Sequence, residues 1–365
     1  MQFKKTSLSA LLSLALASSP TVSATEQVLN VYNWWDYITP GAVEEFQAKT
    51  GIKVNYDVYD SNEILEAKLM SGGSGYDIVV PSANFLERQA KSGVYSRLDR
   101  SQLKNYSNLD PALMKQIEGH DPGNTYAVPY TWGTLGLAYN VDMLKQRLGD
   151  MPLDSYDLLF KPEVAAKLQD CGIGLVDSPA EVMALALNYL GLDPNSERKE
   201  DLKQATDLLN SVRSSYKHFN TGNIQADLIN GDLCLGLGYS GDMLQAQGRA
   251  DEAKTGVTLE YLIPKEGTIA WFDLVAIPAD APNKEAAHKF IDFLLEPETG
   301  AGLSNYVYYA VPNTRIAPLV EPEILNNPAV YPTEEIKSKL FTQQAHSQKY
   351  DRLLSRAWSN IKTGR

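Results

Sequence analysis

Short apolar runs and stretches of helical period alternate along the first ninety residues. Val28–Trp34, Ile52–Val58 and Tyr76–Val80 read as strands, and Gly41–Lys49, Asn62–Met70 and Asn84–Lys91 as helices. Strands alternating with helices are joined by right-handed crossovers, which predicts a largely parallel sheet covered on both faces. Ligands on such sheets gather at the carboxyl ends of strands. The loops at Trp34–Tyr37 and Ser82 are therefore expected to face one cleft.

The pattern changes near Tyr130. Ala127–Gly133 is an extended apolar run interrupted by Pro129, and it passes into a further strand, Leu135–Asn140. This reads as a crossing between two lobes. A second α/β set follows: strand Gly172–Val176, helix Pro179–Leu190, helix Lys199–Val212, strand Asp232–Tyr239 and helix Asp242–Arg249. Strands Val257–Ile263 and Ile269–Ile277 are expected to return to the first lobe. Helix Lys284–Leu294, the Tyr306–Pro312 segment and helices Glu334–Phe341 and Lys349–Ile361 complete the chain. The predicted division is 25–131 with 256–312 for an N-terminal lobe and 132–255 with 313–365 for a C-terminal lobe. Several extended crossings between lobes give a hinge and a closable cleft.

The first residues bear on the compartment. Lys4 and Lys5 precede an apolar run from Leu8 to Ala17, and Val22-Ser23-Ala24 supplies small residues for cleavage, so residues 1–24 read as a secretory signal peptide. The run is too short to span a membrane. A periplasmic, freely exported protein is expected. Removing that segment makes the formal net charge of −12 two units more negative, because two lysines and no acids leave. Such acidity argues against nucleic acid as a partner, since phosphate binding needs clustered Lys and Arg. The only cysteines, Cys171 and Cys234, are expected to pair in an oxidising compartment. Four histidines lie far apart without ligand spacing, so neither a metal nor a cofactor has sequence support.

Candidate chemistry lies in three places where an aromatic residue and an aspartate fall together at expected strand ends: Trp34-Trp35-Asp36-Tyr37, Tyr239-Ser240-Gly241-Asp242 and Trp271-Phe272-Asp273. A carboxylate accepts charge-assisted hydrogen bonds from an ammonium, while a ring holds the adjoining methylenes and attracts the charge. The pairs together suit an organic cation. An enzyme reading has its best case in Gly236-Leu237-Gly238-Tyr239-Ser240-Gly241, which has GxGxxG spacing after a strand. Asp242 would then stand where a pyrophosphate must bind, and like charges repel there.

Tyr32–Ile38, Tyr59–Glu63, Val79-Val80-Pro81-Ser82, Gly238–Asp242 and Ile263-Pro264-Lys265-Glu266-Gly267 resemble the periplasmic polyamine-binding proteins of ABC transporters. The resemblance covers essentially the whole chain after the leader. It implies a two-lobed α/β periplasmic binding fold of type II, each lobe a mostly parallel sheet flanked by helices. The function implied is capture of putrescine or spermidine by lobe closure and delivery to a membrane permease, with no enzymatic step and as a monomer. Matched position by position, the amine-binding carboxylates fall on Asp36, Glu181, Asp242 and Asp273. The aromatic walls fall on Trp34, Tyr37, Tyr239, Trp271 and Tyr309, and Ser82 lines the pocket. Trp35 stands where the family has a smaller polar residue, and Tyr239 where relatives have tryptophan. Spermidine-preferring sites of the family have a tryptophan at the position of Trp271 and a glutamine where Gln343 aligns, so spermidine is expected to bind more tightly than putrescine. The alternatives are a receptor for putrescine or another organic cation, and an exported enzyme.

Overall fold

A computed structural model describes residues 27–364. The expected signal peptide lies outside the described residues. Among the described residues nine strands form the framework: β1 (Val28–Trp34), β2 (Lys53–Tyr59), β3 (Ile78–Val79), β4 (Ala127–Asn140), β5 (Ile173–Leu175), β6 (Tyr216–Phe219), β7 (Leu235–Tyr239), β8 (Leu259–Leu262) and β9 (Ala270–Ala276). Their order is β2-β1-β3-β9-β4-β7-β5-β6, with β8 also on β4.

Two hydrophobic cores divide this framework. Leu29, Phe46, Leu86 and Phe290 belong to the first, and Leu135, Tyr156, Phe160 and Leu185 to the second; all are fully buried. The pairings are mixed, which corrects the expectation of mostly parallel sheets. β1 with β2 and β3, and β5 with β6 and β7, are parallel, as helical crossovers require. Every pairing of β4, and that of β3 with β9, is antiparallel. The strands that pass between lobes run against those each lobe winds by crossovers.

β4 is one continuous strand of fourteen buried residues rather than a crossing followed by a strand. Its first half pairs with β9 in the first lobe, and its second half with β7 and β8 in the second. Pro129 is accommodated because the register shifts between Pro129 and Thr131, where the missing N–H leaves no ladder bond unmade. β8 stays with the second lobe by pairing with Leu137–Asn140, so only β9 of the two expected returning strands reaches the first. Ile316, Val320 and Ile324, expected in the second lobe, pack in the first core, and the chain reaches the second core again with Tyr350, Leu354 and Trp358. The expected helix Glu334–Phe341 is short, Glu334–Lys337, because Phe341 instead bridges Ile269 in extended pairing. A helix that the pattern did not reveal, Pro297–Val307, ends at Tyr308 in a left-handed conformation, φ 58°.

Local chemistry sets the helix starts that matter for the cleft. Ser61 Oγ caps the Asn62–Met70 helix by accepting from Ile64 N at 3.3 Å. Pro179 occupies the first turn of the Pro179–Tyr189 helix, where its missing N–H costs nothing. Cys171 and Cys234 form a disulfide, Cα atoms 5.5 Å apart, tying the approach to β5 to that of β7.

Candidate functional site

Alternation along β9 sends Trp271 and Asp273 to the same face. Asp273 is only 6% exposed. Its Oδ1 accepts from Ser82 Oγ at 2.7 Å and its Oδ2 from the Tyr37 hydroxyl at 2.9 Å. Ser82 is held in turn by Asn62, whose Nδ2 donates to Ser82 Oγ at 2.9 Å and whose Oδ1 accepts from Ser82 N at 3.0 Å. Burial pushes the Asp273 carboxyl up to about 6, the two hydroxyl bonds opposing the rise and Glu181 adding to it. Glu181 is thus near enough to act on Asp273 from the second lobe.

Glu181 lies in the first turn of its helix, 9% exposed, with Oε2 accepting from the Tyr239 hydroxyl at 2.8 Å. Burial raises its carboxyl, against the hydrogen bonds of Tyr239 and Ser178. Asp242 lies in the first turn of the Ser240–Glu252 helix, where the helix dipole favours an anion. It is half-buried, and Tyr309 donates to its Oδ1 at 3.0 Å. Burial still dominates and pushes Asp242 up to about 6, Tyr309 and Arg249 working the other way.

Aromatic rings pack among these carboxylates. Trp271 meets Tyr309 edge-on at 4.8 Å and Tyr239 at 6.1 Å, and Tyr37 meets Tyr309 at 5.9 Å. Gly133 pairs with Trp271 across the ladder, and a Cβ there would stand 2.6 Å from Trp271 Cζ2. The glycine therefore lets the indole lie against the β4 backbone. Trp34 packs on Tyr59 at 4.7 Å and donates Nε1 to Val80 O at 2.8 Å.

Two predicted residues are exposed. Asp36 is exposed, in a left-handed conformation with φ 54°, and its Oδ1 accepts from the Tyr306 hydroxyl at 2.6 Å. Trp35 is 73% exposed, outside the cluster. Gln343 follows Phe341, whose bridge to Ile269 brings this segment alongside the approach to Trp271. Among the described residues, neither Asp36, Glu181, Asp242 nor Asp273 forms a salt bridge with lysine or arginine. Nor is there a group of three or more His, Cys, Asp or Glu suited to a metal among them. Glu181, Asp242 and Asp273 thus lie among aromatic rings, with hydroxyls as their hydrogen-bond donors among the described residues.

The model of the bacterial extracellular solute-binding proteins matches residues 41–333. The chain belongs to this family. It is a solute-binding protein and not an enzyme. It is 48% identical to the putrescine-binding periplasmic protein PotF of Escherichia coli K12, over 96% of each chain. It is also 48% identical to the putrescine-binding periplasmic protein SpuD of Pseudomonas aeruginosa, over 97% of this chain and 98% of that one. The solved spermidine/putrescine ABC transporter substrate-binding protein PotD of Streptococcus pneumoniae superposes with a TM-score of 0.80 at 30% identity, covering 93% of this chain and 99% of that one. The solute-binding protein thus has the two-lobed type II periplasmic binding fold.

Sequence reasoning missed the residues that support this site. The Tyr130 hydroxyl donates to Tyr37 O at 2.6 Å, and Thr131 Oγ1 bonds the Tyr37 hydroxyl. Both lie in the apolar run read only as a crossing. Asn62 and Tyr306 sat within recognised segments, but nothing in their spacing links them to Ser82 or Asp36, which lie 20 and 270 residues away.

Proposed function

We propose that this solute-binding protein captures a polyamine between its lobes in the periplasm and hands it to an ABC permease. The observation that carries the reading is the set of Glu181, Asp242 and Asp273, gathered among aromatic rings without a basic salt-bridge partner among the described residues. A protonated polyamine supplies the missing charges at intervals, with methylenes that rest on Trp271, Tyr239, Tyr309 and Tyr37. Each charge-assisted bond contributes roughly 1.5 to 3 kcal/mol, and each desolvated cation–π contact about 1 to 2. A few of each give micromolar affinity or better after ordering costs. Lobe closure about β4 and the β8–β9 connection brings Glu181 and Asp242 onto the Asp273 side. The names of PotF and SpuD support a polyamine and a periplasmic location, and the leader-like residues 1–24 fit export to that compartment.

Within the class we propose spermidine in preference to putrescine. A triamine needs a further polar anchor and more aromatic surface than a diamine, and Gln343 and Trp271 supply them. The second reading is putrescine, which the names of PotF and SpuD at 48% identity favour. Native mass spectrometry of protein purified from the periplasm tests the function directly. Retained spermidine or putrescine is the expected result, and retention of a non-amine solute would refute it.

A further inference from the structure

The side-chain amide of Asn62 has one orientation that satisfies its neighbours. Ser82 N can only donate, so the atom 3.0 Å from it is Asn62 Oδ1, and Nδ2 is then the atom 2.9 Å from Ser82 Oγ. That N–H enters a lone pair of the hydroxyl, which leaves the hydroxyl's own proton for Asp273 Oδ1 at 2.7 Å. An O–H that accepts one hydrogen bond also donates the next more strongly. Asn62 thus strengthens a bond that it does not itself make.

Ser82 forgoes a competing role in making that bond. It stands at the N-cap of helix Ala83–Lys91, where a serine hydroxyl ordinarily accepts from a first-turn N–H, yet its side chain makes no cap bond. Its backbone is fixed beside β9 as well, because Ser82 bridges Asp273 in antiparallel pairing and Leu274 N donates to Pro81 O at 2.9 Å. The titratable groups acting on Asp273 are Tyr37, which donates to Oδ2 at 2.9 Å, together with Tyr59, Tyr130, Tyr239 and Glu181. None of these is a base, so the Ser82 and Tyr37 hydroxyls are what favour the charged carboxylate.

We propose that Asn62 is a positioning residue: by aiming the Ser82 hydroxyl proton at Asp273, it presets that carboxylate as an acceptor for an ammonium group. The proposal rests on the polyamine reading above. Asn62 acts through Ser82 and needs no contact with the ligand. Asn62→Asp reverses the effect, since its carboxylate still accepts from Ser82 N but turns a second acceptor to Ser82 Oγ and competes with Asp273 for the single proton. Asn62→Ala leaves that proton unguided.

Carboxyl 13C titration of ligand-stripped protein reads Asp273 without any amine present. Asn62→Asp is expected to raise its midpoint by roughly half a pH unit or more, and Asn62→Ala by less in the same direction. A midpoint unmoved in both variants overturns the assignment. In protein already carrying Ser82→Ala, Asn62→Ala is expected to move the midpoint no further; a shift as large as the one seen with Ser82 present overturns the route through that hydroxyl. Calorimetric titration with spermidine supplies the binding half. The affinity loss in Asn62→Asp is expected to be roughly threefold greater at pH 6 than at pH 8, whereas a purely structural defect weakens binding equally at both, and equal losses overturn the proposal. If the unsubstituted protein binds neither spermidine nor putrescine, the polyamine reading falls, and the ammonium role of Asp273 with it. If it binds them and the Asp273 midpoint stays unmoved in the variants, this inference alone falls.

Discussion

Replacing Asp273 by asparagine has opposite consequences for the empty and the occupied cleft. In the unliganded protein the Asp273 carboxyl is displaced from 3.8 to about 6 by burial. A carboxyl raised in the folded state contributes stability that is present below about pH 4 and lost as the pH rises through 6. At pH 7 the displacement amounts to roughly 3 kcal/mol against folding. Asparagine removes that cost. It also leaves the Tyr37 or Ser82 hydroxyl short of an acceptor, at about 1 kcal/mol. The net expectation is an unliganded protein stabilised by roughly 2 kcal/mol, a rise of a few degrees in Tm. With ligand the balance reverses. An ammonium enclosed in the cleft loses its charge partner, which costs about 2 to 4 kcal/mol, a 30- to 1000-fold loss of affinity. Thermal melts with and without spermidine, beside calorimetry, measure both halves. Unchanged spermidine affinity, or a Tm lowered by several degrees without ligand, would refute the reasoning.

Further outcomes follow from the same geometry. Asp242 and Asp273 both titrate near 6 in the empty cleft and must be charged to hold a cation, so polyamine affinity should fall roughly 100-fold from pH 7 to pH 5. The unliganded protein should gain stability over the same interval, and calorimetry in buffers of different ionisation enthalpy should register proton release on binding. Gly133→Ala places a methyl against Trp271 and Ser240; overpacking of roughly 1 to 3 kcal/mol should lower both Tm and affinity. Replacing Cys171 and Cys234 by serine opens a constraint spanning a separation of 63 residues and should cost about 4 kcal/mol in denaturant melts, with ligand affinity kept.

Much of this was readable from the residues. β1 and β2 declared themselves by apolar runs beside helical periods, and the proposed ligand carboxylates Asp273 and Asp242 stood out by their neighbours Trp271 and Tyr239. What escaped were features set by tertiary pairing. Pro129 reads as a break because a proline cannot donate, yet it falls at a bulge where β4 needs no donor. Val257–Ile263 has the same apolar character wherever it pairs, so nothing local assigns it to Leu137–Asn140 rather than to the first lobe. Residues 316–330 carry apolar positions without a regular period, and only their packing places them in the first core. Trp35 resembles the other aromatic neighbours of a carboxylate in sequence, but lies outside the cluster because Asp36 turns in a left-handed conformation directly after it.

The measurement that reaches the central claim most directly is calorimetric titration of ligand-stripped protein with spermidine and with putrescine at pH 7.5. Saturable binding of both amines at one site, micromolar or tighter, is predicted, with spermidine the tighter and the heat abolished by combined substitution of Asp242 and Asp273. Absence of saturable binding by either amine would contradict polyamine capture, while putrescine binding as tight as spermidine would overturn the preference.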